Sequence, residues 1–132
     1  MALQLLPRLK ELQLVNCPKI RSLPSHLAQA SSLKVIQLRW ASSLNVLGNL
    51  PWLSDILVLA TCSNLETISN LPLVTVLRLQ KCLNLRSVEN LDNLQQIWLT
   101  QDMKDTSSQW LPQLQEQHRR RHSKELDVYT WR

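Results

Sequence analysis

The sequence predicts an α/β solenoid, a stack of similar short units that each add one strand to a parallel sheet. Three observations carry this. An apolar frame recurs at a nearly constant period, a second apolar pair follows each occurrence, and asparagine-leucine pairs close most units.

The frame is set by Leu9, Leu12, Leu14 and Cys17, at steps of 3, 2 and 3. It returns as Leu33, Ile36, Leu38, Ala41, as Val74, Leu77, Leu79, Cys82, and as Leu94, Ile97, Leu99, Asp102. Leu57, Leu59 and Cys62 fit it in between, with Leu53 falling one residue early. The second pair is Ile20 and Leu23, Leu44 and Leu47, Leu65 and Ile68, Leu85 and Val88. From Leu14 to Leu38, Leu59, Leu79 and Leu99 the steps are 24, 21, 20 and 20 residues.

L-x-x-L-x-L-x-x-(N/C) at this period is the frame of leucine-rich repeats, whose units stack with one short parallel strand each. The expected architecture has that sheet on the concave face, irregular loops on the convex face and a helix at the C-terminus. Residues 1–105 form an array of about five repeats and 106–132 a capping helix with an extended tail. One unit buries too little to offset the ordering of its own backbone. Stacking gives each unit two covered faces and turns separate leucine patches into one core.

Cys17, Cys62 and Cys82 hold one frame position, which Ala41 takes in another unit. That position calls for a small, buried, weakly polar side chain at the turn leaving the strand. No C-x-x-C pair accompanies it, so the cysteines are read as packing rather than as nucleophiles or metal ligands. Three cysteines without a secretory leader fit a reducing cytosol.

Glycine occurs once among 132 residues, at Gly48, which excludes glycine-rich phosphate loops and dinucleotide fingerprints within this chain. No apolar run approaches the ~20 residues of a membrane span, and Met1 to Pro7 is too short for a signal-peptide core. A soluble, cytoplasmic chain is expected. Of the net charge of +5, residues 109–132 carry +2 and the repeats +3. Only His118–Arg119–Arg120–Arg121–His122 is a basic cluster, read as a solvated helix face rather than a nucleic-acid or metal site. His26 follows Ser22 and Ser25 without a third group to orient it, and no paired carboxylates stand out. No catalytic residue, cofactor or metal is expected, nor a small-molecule substrate.

The ends differ. Met1 to Leu9 runs almost directly into the first frame, so an upstream part is expected. At the other end the frame stops after Leu99, and a polar stretch leads to a helix from about Trp110 to His122. Ser107 or Ser108 is its expected cap and Pro112 lies in its first turn. Trp110, Leu111 and Leu114 are expected to cover the last repeat, with Leu126 to Trp131 extended beside it.

The irregular frame with cysteine at its anchor, the Leu50-Pro51 and Leu71-Pro72 unit starts, the stretches Asn16–Pro24 and Cys62–Pro72, and the tail from Trp110 to Trp131 resemble a known family. They look like the C-terminal leucine-rich-repeat end of plant nucleotide-binding immune receptors of the coiled-coil class common in cereals. The resemblance covers the whole chain, the tail being its more specific part. It implies ligand recognition and autoinhibitory contact, and carries over neither nucleotide binding nor hydrolysis, since the family's upstream coiled-coil and switch domains are not in this chain.

In the frame the leucines point inward, so the residues between them point out from the sheet. Stacking makes a central ladder of Gln13, Gln37, Val58, Arg78 and Trp98. It is flanked by Val15, Arg39, Ala60, Gln80 and Thr100 on one side and by Glu11, Val35, Ile56, Val76 and Gln96 on the other. Repeat three must expose an apolar pair in either register, Ile56 with Val58 or Leu57 with Leu59. Outward aromatics and arginines are the usual anchors of protein interfaces. The candidate protein-binding residues are therefore Gln37, Arg39, Trp40, Val58, Arg78, Gln80, Lys81 and Trp98. Two functions follow: a recognition module for a pathogen effector, a host protein or the receptor's own switch domain, or a structural repeat scaffold without a specific ligand.

Overall fold

A computed structural model describes residues 8–131. The expectations about Met1 to Pro7 lie outside the described residues. The chain forms a parallel-strand β-solenoid of about four turns. Its main sheet takes one strand per turn: β1 (Glu11–Val15), β2 (Val35–Arg39), β4 (Ile56–Ala60), β6 (Val76–Gln80) and β8 (Gln96–Thr100), in that order. Three-residue strands β3 (Val46–Gly48), β5 (Thr67–Ser69) and β7 (Ser87–Glu89) build a second parallel sheet where irregular loops were expected. The second apolar pairs explain it: Leu47, Ile68 and Val88 at its centres are buried, and the residues either side of each point away.

Between the sheets lies one continuous core. Ile36, Leu57, Leu77 and Ile97 stack in register, as do Leu38, Leu59, Leu79 and Leu99, with Leu44, Leu65 and Leu85 along the turn. Each strand exit turns through a left-handed residue, Asn16, Trp40, Thr61 or Lys81, with φ between 53° and 58°. Such a φ is costly for side chains other than asparagine and glycine. It persists because each turn amide is bound to the next strand: Asn16 N–H to Arg39 O, Trp40 N–H to Ala60 O and Thr61 N–H to Gln80 O, at 2.7–2.9 Å. At Lys81 the acceptor changes to the Thr100 hydroxyl, 3.0 Å away, which in turn bonds Asp102.

The asparagines of the unit-closing Asn-Leu pairs form a second ladder. Asn49, Asn70 and Asn90 all adopt φ of 57–60°, and their side chains link in series, Asn70 Nδ2 to Asn49 Oδ1 at 2.8 Å and Asn90 Nδ2 to Asn70 Oδ1 at 3.0 Å. The asparagine thus supplies both the left-handed bend and a bond to the neighbouring turn.

The third repeat resolves to one register. Leu57 and Leu59 are fully buried while Ile56 and Val58 are half-buried on the outer face. The Lys34 carbonyl accepts from Asp55 and Ile56, as that of Lys10 does from Lys34 and Val35, so Asp55 is the counterpart of Lys34. Ser54 is therefore the extra residue, and Leu53 stays in the core.

The C-terminal region departs from expectation in three ways. The stretch after Leu99 is helical, with a 3₁₀ turn Gln101–Met103 and α1 (Lys104–Ser107), and Met103 rather than Asp102 enters the core. Helix α2 (Leu111–His122) has Trp110 at its N-cap with no side-chain cap, because Ser107 is buried with its hydroxyl on Lys104 O and Ser108 bonds Asp105 O. Finally, β9 (Asp127–Trp131) joins the main sheet as a sixth parallel strand beside β8. Trp110 is buried, its indole N–H donating to Leu85 O at 3.1 Å; Leu114 is buried and Leu111 partly so. Cys17 also differs from expectation, being half-buried on the first turn, whereas Cys62 and Cys82 are fully enclosed.

Candidate functional site: the concave sheet face

The outward side chains of the main sheet enclose a cavity of about 210 Å³ lined by Val35, Gln37 and Arg39 of β2, Ile56 and Val58 of β4, Arg78 and Gln80 of β6, and Trp131 of β9. The parallel register builds it, since Gln37, Val58 and Arg78 are direct partners across three strands and Arg39, Ala60 and Gln80 are the next row. Five of the eight candidate residues, Gln37, Arg39, Val58, Arg78 and Gln80, thus share one concavity.

Trp98 sits beside it. It continues the central ladder, but Tyr129 is its register partner on β9 and stacks on it with centroids 4.4 Å apart and planes at 23°, and Trp131 meets it edge-on at 6.1 Å. Its indole N–H donates to Gln96 Oε1 at 3.2 Å. Trp98 is therefore half-buried, not the free anchor expected from its outward position. Trp131 leans back over the face, and the Arg78 guanidinium lies to one side of this edge-on pair, 5.5 Å from the Trp98 centroid and 5.4 Å from that of Trp131. Trp40 and Lys81 lie apart, exposed in equivalent left-handed turns at strand exits.

Sequence reasoning missed Tyr129 and Trp131. A signal was present: Asp127-Val128-Tyr129-Thr130-Trp131 alternates like Gln96-Ile97-Trp98-Leu99-Thr100, the strand it pairs with. The segment stands outside the leucine frame, so its extended course beside the last repeat was expected but its pairing with β8 was not.

Elsewhere the chemistry is spent. Arg119 pairs with Glu116 at 2.7 Å and Glu125 at 3.1 Å, Arg120 with Glu116 at 3.1 Å, and Arg121 with Asp92 at 3.5 Å. His122 Nε2 lies 2.8 Å from Asp92 O, and His118 is buried against the His122 ring, 4.7 Å between centroids. Burial, then the neighbouring His122, holds the His118 pKa below its ordinary value. The Cys82 thiol faces Gln80 O at 3.5 Å and Leu59 O at 3.6 Å, and its hydrogen bond with Cys62, followed by burial, pushes its pKa up, which makes it inert. Among the described residues no three His, Cys, Asp or Glu side chains are placed to hold a metal ion, and no helix is long and apolar enough to cross a membrane.

The concavity, by contrast, is lined by two arginines, Arg39 and Arg78, and by no carboxylate. Glu11, the acid of the adjoining β1, is held by the amides of Gln13 and of Gln37, the latter at 3.2 Å. Compared with family models, with curated proteins and with solved structures, the chain gives no match.

Proposed function

We propose that this chain is a leucine-rich-repeat recognition module of an intracellular plant immune receptor of the coiled-coil nucleotide-binding class. On this reading its concave face binds a pathogen effector or host protein, or contacts the receptor's own switch domain in autoinhibition, from a cytoplasmic location. It has no catalytic step and takes no cofactor. The observation that carries it is the convergence of Arg39, Arg78, Gln37, Gln80 and Trp131 on one concavity. Arginine and tryptophan dominate protein interfaces because each combines a large contact area with directional donors. The family assignment rests on the resemblance of the frame and tail.

One observation favours the scaffold reading instead. Trp98, Tyr129 and Trp131 pack on each other, so part of the aromatic surface already serves to fix β9 on the sheet.

Site-specific photo-cross-linking separates the two. A photoreactive amino acid replaces Gln37 on the face or, as control, exposed Asn64 in the β4–β5 turn. The recognition reading expects discrete protein adducts in cells from position 37, abolished by combining Arg78→Glu with Trp98→Ala. Adducts of equal yield from both positions, or none from position 37, support the scaffold.

A further inference from the structure

We infer that the concavity takes a carboxylate side chain from an acidic segment of the partner protein, gripped between Arg39 and Arg78. This deepens the recognition reading and rests on it.

The state of Arg78 is the first reason. The exposed Arg78 guanidinium lies against both Trp98 and Trp131, which meet edge-on to one side of it, and these cation–π contacts do not use its N–H donors. Among the described residues those N–H groups have no protein acceptor and Arg78 has no ion-pair partner. Contact with two rings narrows the rotamers open to the guanidinium, so a bidentate acceptor gains a charge-assisted bond at a reduced ordering cost.

Arg39 is the second reason. It opens onto the same space from β2, exposed and likewise unpaired among the described residues, so two like charges share one concavity. An anion between them relieves that repulsion and satisfies both forks. Gln80 adds an amide, and Val35, Ile56 and Val58 form an apolar floor suited to the methylenes of a glutamate.

The surroundings favour a protein carboxylate over a nucleic-acid phosphate. A nucleic acid needs a stripe of cations along its backbone and open aromatic faces for its bases. Here there are two cations, Trp98 is covered by Tyr129 and Trp131, and the arginines of the 118–122 cluster are paired with Glu116, Glu125 and Asp92. A volume of about 210 Å³ is on the scale of one side chain.

The test uses the full chain and its own tryptophans. Fluorescence is titrated with an end-blocked hexaglutamate peptide, hexaglutamine, inorganic phosphate and a short oligothymidylate. We expect saturable binding of hexaglutamate that weakens with salt and is at least tenfold tighter than that of the other three. Arg39→Gln and Arg78→Gln should each weaken it about tenfold, the loss of one charge-assisted pair. Trp131→Ala, which frees the guanidinium, should weaken it about threefold, and Arg120→Gln should leave it unchanged. Circular dichroism verifies that each variant is folded, and Arg39→Gln tests the claim even if a tryptophan variant is not. Equal binding of hexaglutamine, tighter binding of phosphate or oligothymidylate, or indifference to both arginine changes overturns the inference. If adducts still form at position 37 in that event, recognition stands and only the acidic chemistry falls.

Discussion

Replacing Cys82 with aspartate asks whether the frame position between two turns is as dry as the packing implies. The Cys82 side chain is wholly enclosed, and its nearest polar neighbours are the carbonyls of Leu59 and Gln80 at 3.6 and 3.5 Å. Both are acceptors, and the neighbouring Cys62 thiol and backbone offer too little to balance an ionised carboxylate in this enclosed position, so the group must be protonated to remain inside. Holding an acid of ordinary pKa ~3.9 neutral at pH 7 costs about 4 kcal/mol, at about 1.36 kcal/mol per unit. That is a large part of the ~5–15 kcal/mol stability of a domain this size. The sign in pH follows. The folded-state pKa of the introduced carboxyl is raised, so the folded form binds more protons than the unfolded one. Cys82→Asp is least harmful below about pH 4 and loses stability as pH rises towards 7. Cys82→Ala, the residue already present as Ala41, should cost only about 1 kcal/mol at any pH. Thermal melts followed by circular dichroism at pH 4 and pH 7 measure both. A Cys82→Asp protein that melts with the parent at pH 7 refutes the buried register.

Other consequences are read the same way. Gly48→Ala places a methyl group 2.0 Å from Ser69 O, so β3 and β5 must separate, and denaturant titration should show a loss of about 1–3 kcal/mol. Trp110→Phe keeps the apolar cover but strips Leu85 O of its donor, for about 1–3 kcal/mol by the same assay; deleting residues 109–132 should instead cause aggregation, seen by light scattering. His118 has a lowered folded-state pKa, so the unfolded chain binds more protons and stability should fall as pH drops below 6.5. His118→Leu should flatten that part of the melting profile between pH 7.5 and 5.5.

The core was legible because inward and outward residues alternate within a fixed frame. Even the misplaced Leu53 lies in it, at the cost of a local irregularity at Ser54. The backbone of the turns was less so. Asn16 announces a left-handed residue, whereas Trp40, Thr61 and Lys81 do not, and they take that conformation because bonds to the next strand impose it. The site was half legible. Period and register alone bring Gln37, Arg39, Val58, Arg78 and Gln80 together, but the closing of the concavity by Trp131 depends on a strand outside the repeat pattern. Its partner β8 lies some thirty residues upstream, with two helices between. Local patterns do not encode such pairings.

Hydroxyl-radical footprinting tests most directly whether the concave face is the recognition surface, because the tryptophans sample the molecule unevenly. Trp98 and Trp131 border the concavity, Trp52 stands exposed in the β3–β4 connection, and Trp110 is buried with its indole N–H on Leu85 O. The protein is isolated from cells through an affinity tag, so that capture does not favour any face, and oxidation is compared with that of the purified chain alone. The account predicts that bound partner protects Trp131 and Tyr129 strongly, leaves Trp52 reactive and leaves Trp110 silent in both states. Protection of Trp52 with Trp131 and Tyr129 still oxidised would contradict it.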